Sequence, residues 1–312
     1  MPIRHDELLP EGQQDRNAGN AGDLGKHGVY LSLLETLRRT PPWSGGLQVV
    51  EAHAGKGLYA AGHSQWKRFQ EMGHGEHSPL VNLQHAVLGP PPIGVGPILG
   101  LPAGNNPYVG SGLLHANLLR GSPDSSLVCY DCNPNVRSTL QRVLEEACFT
   151  VVRGRVEILD PGGQSEPVVL QKLQDGCYGR RHVLHLDPFA FVMRQDDQPT
   201  RDRYRELLQK CDEQVAEERL GAASVFVTWG SNSSAAREDL FREGYGGGLH
   251  GGFQDLRGLV RPTQSVVVAW CWQYYFSLLV VVPERLRHDL VHSIAHGLAS
   301  LAASCSYFSI SE

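Results

Sequence analysis

The sequence predicts an α/β fold in which a doubly wound, mostly parallel sheet carries a site along the carboxyl ends of its strands. Three observations predict it. Short apolar runs such as Leu47–Val50, Leu127–Tyr130 and His182–Leu186 have the length and near-continuous hydrophobicity of strands buried on both faces. Four acids, Glu51, Asp131, Asp160 and Asp187, stand at the carboxyl ends of such runs, where open α/β sheets bind ligands. Helical periodicities separate the runs, and the chain closes on a pair of apolar segments, 265–272 and 275–282, that reads as a hairpin. Parallel β/α units followed by a hairpin place an antiparallel strand at the end of the sheet.

In chain order, residues 1–16 are polar and read as irregular. Leu24, Leu31, Leu34 and Leu37 fall on one helical stripe, with Asp23 placed to cap it and Lys26 and His27 in its first turn. A cation there opposes the helix dipole, which gives Lys26 weight as a ligand group. Strand Leu47–Val50 is bounded by Gly45-Gly46 before it and Gly55-Lys56-Gly57 after it. Residues 62–107 then change character. Helices are expected over Trp66–Met72 and Pro79–Leu88, with turn-rich stretches at Gly89–Pro97 and Leu101–Pro107. This reads as a small helical subdomain inserted into a single domain spanning 1–312.

Ser111 is a candidate cap for a helix running to Leu119. The strand to Asp131 leads into a helix over Val136–Ala147. Phe149–Arg153, continued by Arg155–Leu159 to Asp160, makes the third strand, and Gly162–Glu166 reads as a loop. His182–Leu186 runs into Asp187-Pro188-Phe189-Ala190, where the proline ends strand pairing and exposes neighbouring carbonyls. A charged helix over Arg201–Glu218, a fifth strand over Ala223–Trp229, a glycine-rich loop at 244–252 and one helix from Glu284 to about Ser304 complete the chain.

Composition narrows the function classes. Hydrophobic content of 41% and charged content of 20% suit a globular chain with a sizeable core. A net charge of −5 counts against coating nucleic acid by bulk charge and leaves room only for a local patch, for which Arg153, Arg155, Arg180, Arg181 and Arg194 are the basic residues expected near the mouth of the site. The 7 cysteines are odd in number and lie mostly in apolar runs, so they read as reduced thiols. Met1–Asp6 has no apolar h-region and no run is long enough to span a bilayer; a cytoplasmic protein without a membrane partner is expected. No metal is expected either: His74-Gly75-Glu76-His77 lacks a nearby fourth ligand, and Cys129-x-x-Cys132 has no second pair or flanking histidine.

Three nucleotide readings compete over residues 51–60. A Walker A loop fails because Gly55-Lys56 is not followed by Ser or Thr. A dinucleotide turn fits Gly55-x-Gly57-x-x-Ala60, but the region where its ribose-binding acid belongs is the inserted subdomain. For S-adenosylmethionine, an acid before the glycines (Glu51-x-x-x-Gly55-x-Gly57) suits a cationic ligand, whereas bare glycine amides suit a pyrophosphate.

The order of the motifs decides among them. Asn17-Ala-Gly-Asn20-Ala-Gly-Asp23-Leu-Gly-Lys26-His27, then Glu51-Ala-His53-Ala54-Gly55-Lys56-Gly57-Leu58-Tyr59, Tyr108-Val-Gly110-Ser111, the strand to Asp131, Arg155–Asp160 and Asp187-Pro188 resemble the bacterial 23S ribosomal RNA adenine-N6 methyltransferase family over nearly the whole chain. The resemblance implies a seven-stranded class I methyltransferase sheet with S-adenosylmethionine as cofactor. It implies that Lys26, His27, Glu51, His53, Gly55, Gly57 and Ser111 lie around the cofactor, that Asp131 binds its ribose and Asp160 its adenine amine. By the same likeness Asp187, counted also among the cofactor-binding residues, and the carbonyl of Pro188 receive the target amine; the family's stacking aromatic is absent from the fourth position, and Phe189 or Phe191 is expected to substitute for it. A nucleic acid substrate follows, RNA ahead of DNA, with a place in ribosomal RNA processing; the oligomeric state does not. Asp187-Pro188-Phe189-Ala190 departs from the family's Asp-Pro-Pro-Tyr and looks more like the three-Cys-motif partner proteins. That departure sustains an alternative, a methyltransferase-fold binding or regulatory protein that keeps the cofactor and has lost or changed the transfer.

Overall fold

A computed structural model describes residues 18–59, 64–71, 78–88, 107–119, 122–146, 155–187, 198–229, 258–272 and 274–311. Helix α1 spans Ala21–Arg38. Its cap is Asn20, whose side chain accepts the Asp23 amide at 3.0 Å, so the expected Asp23 cap is displaced by one turn. Asp23 turns back instead and accepts the Gly19 amide at 2.8 Å, a reciprocal arrangement that satisfies donors at the helix start. The helix is buried on nearly every face, beyond the expected leucine stripe, because it is sandwiched between the sheet and a later helix.

The strands follow as β1 (Gln48–Glu51), β2 (Leu58–Tyr59), β3 (Tyr108–Val109), β4 (Ser126–Tyr130), β5 (Val156–Leu159), β6 (His182–Leu186), β7 (Ala222–Trp229), β8 (Ser265–Trp272), β9 (Tyr274–Val281) and β10 (Tyr307–Ser311). Between them lie α2 (Ser64–Glu71), α3 (Pro79–Leu88), α4 (Ser111–Leu119), α5 (Pro134–Glu146), α6 (Ser165–Gln174) and α7 (Gln198–Ala216). Helices α8 (Glu284–Gly297) and α9 (Ala299–Ser304) come after β9. The main sheet has the order β5-β4-β1-β6-β7-β9-β8-β10. Pairs among the first five are parallel, while β9 runs antiparallel to both β7 and β8.

Eight strands form this sheet where seven are expected. The addition is β10, which pairs antiparallel with β8 at the edge. The single terminal helix is also corrected: it breaks at Leu298, which has φ −106° and ψ 9° and whose side chain reaches the Cα of Gly28 on α1. Helix α6 is a third departure, since its first residues read as loop and Pro167 masks its start. Proline is tolerated there because a first-turn residue has no intrahelical partner for its N–H. The expected strand over 149–153, the loop 244–252 and His74–His77 lie outside the described residues.

Two apolar layers flank the sheet, as alternation demands. Val49, Leu127, Cys129 and Val183 face α1, α4 and α8; Val50, Val128, Leu184 and Ala223 face α6 and α7. The segment between β2 and β3 carries α2 and α3 and is closed at its base by the antiparallel pairing of those two strands. Gln65 of α2 accepts the Ala21 amide at 2.8 Å and donates to the Trp272 carbonyl at 3.1 Å, and Gln84 of α3 bonds both backbone groups of Val109. These buried amides fix the insertion against the start of α1, the end that carries Lys26.

The approach of α1 to the sheet depends on Gly25, where a Cβ would run into the indole of Trp270. That indole donates to the Ala21 carbonyl at 2.7 Å, so it cannot swing away without breaking a buried bond. Gly25→Ala is expected to destabilise the chain by about 1–3 kcal/mol through overpacking. Gly163→Ala, with nothing within 4 Å of the added atom, serves as control. Urea midpoints check it, and equal midpoints for the two variants would contradict this packing.

Candidate active site

The strand order reverses at β1, which bonds β4 on one side and β6 on the other. At such a switch point the connections leaving neighbouring strands diverge and open a crevice at the carboxyl ends. A cavity of about 440 Å³ lies there. Of the residues expected at a site, Lys26, His27, His53, Gly55, Ser111, Asp131 and Asp187 line it. Pro188 and Phe189 lie outside the described residues.

Three expected residues are placed elsewhere. Glu51 is 1% exposed and turns under the floor of the cavity to pair with Nδ1 of His115. Gly57, at φ +76°, gives its carbonyl to the Gly110 amide at 2.9 Å and packs against Leu140. Asp160 is turned to solvent and pairs with Arg137 at 2.5 Å. Three of the five arginines expected at the mouth are placed elsewhere, while Arg153 and Arg194 lie outside the described residues. Arg155, Arg180 and Arg181 precede β5 and β6, and since these strands are parallel their arginines sit at the amino edge of the sheet, opposite the cavity. Arg155 is used there to bind the carbonyls of Ser122 and Ser125.

Lys26 is the electrostatic centre of the site. It is 6% exposed, and its ammonium pairs with Asp23 at 2.8 Å and with Asp187. Burial disfavours the charge, but Asp187 and Asp23 outweigh it and hold the ammonium well above the ordinary lysine range. His27, the next residue, is pushed well below the usual histidine range by burial, by Lys26 and by His115. It stays neutral, stacks on Tyr108 with ring centres 5.7 Å apart, and its Nδ1 lies 2.7 Å from the Tyr108 hydroxyl.

On the opposite wall, Nδ1 of His53 accepts the Asp187 amide at 3.3 Å. The ring proton therefore sits on Nε2, which donates to Glu166 Oε1 at 3.1 Å. Tyr204 donates to the same oxygen. Burial would raise the Glu166 carboxyl, but the hydrogen bonds from His53 and from the Tyr204 hydroxyl bring it down to about 2. Neither Glu166 nor Tyr204 stands out in the sequence. They lie 38 residues apart on α6 and α7, and only the packing of those helices joins them to His53.

Among the described residues the lining is rich in carboxylates: Asp23, Asp131, Glu166 and Asp187 share it with Lys26. Asp131, at the end of β4, has its carboxyl raised by burial, an effect opposed by the amides of Asn133 and Gly55. The Gly55 amide is thus engaged by a side chain and not left open to cradle a pyrophosphate. This wall chemistry favours a cationic ligand over an anionic one.

The pH dependence of stability follows. Neutral His27 in the folded chain takes up its proton only well below the ordinary value of about 6.5, whereas the unfolded chain protonates there, so stability falls as pH drops below about 6.5. Glu166 adds a second loss, which begins below its ordinary value of 4.5 and completes as pH falls through about 2. Urea unfolding should show lower stability at about pH 5.5 than at about pH 7.5, and His27→Gln should lessen that fall without removing it, because burial also holds His185 and His182 below the usual histidine range. An unchanged slope in the variant would contradict a buried neutral His27.

No protein-family model matches the chain, and no curated protein matches it. Among solved structures it is similar to protein LPL1258 from Legionella pneumophila str. Philadelphia 1, described with family model DUF519, with a TM-score of 0.62 and 16% identity over 95% of this chain and 98% of that one. Also similar are the METTL16 MTase domain, at TM-score 0.40 and 9% identity over 81% of this chain and 66% of that one, and an O-methyltransferase family protein from Burkholderia thailandensis, at 0.36 and 12% over 83% and 58%. The strand order, with an antiparallel β9 wedged between β7 and β8, departs from the all-parallel dinucleotide sheet. It gives the chain the class I methyltransferase fold.

Proposed function

We propose that this chain is an S-adenosylmethionine-dependent N-methyltransferase acting on the exocyclic N6 of adenine in nucleic acid, RNA ahead of DNA. The observation that carries the reading is the position of Asp187. It leaves the carboxyl end of β6 at the switch point and shares one cavity with Asp131 and Lys26. The donor set suits the cofactor: a carboxylate-rich wall for a cationic sulfonium, and Asp131 at a strand end for the ribose hydroxyls. Lys26, His27, His53, Gly55 and Ser111 would surround the methionine part. Asp160 would receive the adenine amine from the rim, and Glu51 and Gly57 would act from beneath.

When bound, S-adenosylmethionine supplies an electrophilic methyl group. An exocyclic adenine amine is a poor nucleophile because its lone pair is delocalised into the ring. An Asp187 oxygen accepting one N–H, with the Pro188 carbonyl accepting the other, would favour a more pyramidal nitrogen. Asp187 is oriented for this from two sides, by the Lys26 ammonium on its carboxylate and by His53 on its backbone amide. The remaining contribution is proximity, and a base in a folded strand would have to be swung out to reach the cavity.

A second reading, a binding or regulatory protein of the same fold, is favoured by the arginines at the amino edge and by Ala190 in place of the motif's aromatic. One set of measurements separates the two. Calorimetric titration should show binding of S-adenosylmethionine and not of NAD; no heat with the former sinks both readings. Labelled cofactor with cellular RNA and DNA, followed by nucleoside mass spectrometry, should yield N6-methyladenosine. Asp187→Asn should lower that transfer by about 10²–10⁴-fold and change cofactor affinity only a few-fold. Cofactor binding without transfer to any acceptor would favour the second reading.

A further inference from the structure

Beneath the cavity floor the sheet carries a row of functional side chains in an otherwise apolar layer. In register across four strands stand Cys129 (β4), Glu51 (β1), His185 (β6) and Ser224 (β7). His115 of α4 reaches down onto this row, its Nδ1 against Glu51 and its ring stacked on His185 with centres 4.8 Å apart. Glu51, His115 and His185 are 1%, 2% and 0% exposed. Each offers a ligand atom, and the three atoms lie within 4.8 Å of one another.

Ser224 Oγ lies 2.8 Å from His185 Nδ1 and 3.5 Å from the Leu184 carbonyl. In the tautomer that donates from Nδ1 to Ser224, Nε2 presents its lone pair to the interior. Nε2 is wholly buried and has no hydrogen-bond partner among the described residues. A buried polar atom without a partner is costly. An imidazole whose outer nitrogen is tied down by a hydrogen bond while its inner nitrogen faces a second histidine and a carboxylate has the orientation of a metal ligand.

The geometry points to a structural metal site at Glu51, His115 and His185 for a borderline divalent transition ion of the zinc class. Two imidazole nitrogens and one carboxylate suit such an ion, whereas calcium and magnesium call for oxygen ligands. Ligand atoms around tetrahedral zinc, with bonds of about 2.0–2.1 Å, stand roughly 3.3 Å apart. The three atoms lie within 4.8 Å of one another, and Glu51 and His115 are in direct contact, so side-chain rotation opens that pair to admit the ion. The site is closed to solvent, so the ion is taken up as the chain folds and does not meet substrate. It clamps β1 to β6 and α4, two residues before His53 on one strand and two before Asp187 on the other.

Elemental analysis of the full chain, purified from zinc-supplemented culture without chelator, tests the site, together with titration of metal-free chain with Co²⁺ as a spectroscopic probe. About one equivalent of metal per chain is expected, with a saturable Co²⁺ absorption band. His115→Ala and His185→Ala should each remove both, and exposed His292→Ala should remove neither. Because the two core variants can fail by misfolding, Ser224→Ala is the deciding one: it leaves all three ligands and should weaken Co²⁺ binding by about 10–100-fold. Wild-type chain with neither metal nor a saturable Co²⁺ band overturns the site, as does metal retained in folded His115→Ala and His185→Ala or Co²⁺ affinity unchanged in Ser224→Ala. Glu51 and His115 would then be a plain buried pair.

Discussion

The buried ammonium of Lys26, shared by Asp23 on its own helix and Asp187 at the end of β6, is the interaction on which the site depends. A lysine so nearly excluded from water is tolerated only where opposite charge offsets its lost hydration. Because two carboxylates share the ammonium, loss of either leaves the other to offset its charge. The geometry of the pair requires α1 to lie close against the sheet. Gly25 against Trp270, Gly28 against Leu298 and the caps at Asn20 and Asp23 supply that closeness. The opening turn of α1 is therefore fixed by packing from below, by Gln65 from the inserted helices and by the sheet terminus it faces.

Asp187 is held from a second direction by His53, which is itself held by Glu166 and Tyr204. The path runs from α7 through α6 and the β1 turn to the end of β6, so both helical layers of the fold converge on one residue. Each acid at a strand end has a different partner: Glu51 a buried histidine, Asp131 backbone amides, Asp160 an arginine at the surface, Asp187 a lysine. Four residues with one sequence signature thus have four electrostatic situations.

Much of the architecture was legible because strands buried on both faces and amphipathic helices leave local periodicities. The helices at 64–71 and 79–88 and the terminal hairpin fall within two residues of their expected bounds. Where the reading failed, the determinant was not local. The break at Leu298 answers to Gly28 across the core, the start of α6 was hidden by Pro167, and β10 exists through pairing with an edge already built. The arginines around 155 and 180 were expected at the mouth because they neighbour site strands in sequence; strand direction carries them to the opposite edge.

The fold class, the carboxyl-end acids, the glycine turn at 55–57 and the Lys26–His27 pair are legible because each is written in adjacent residues. What those residues touch is set by the packing of distant elements. Register set Glu51 beside His185 and His185 beside Ser224, and helix packing brought His115 onto Glu51 and Tyr204 to Glu166. These residues are separated by tens of positions along the chain. Their meeting depends on crossovers and strand order, which no local pattern encodes.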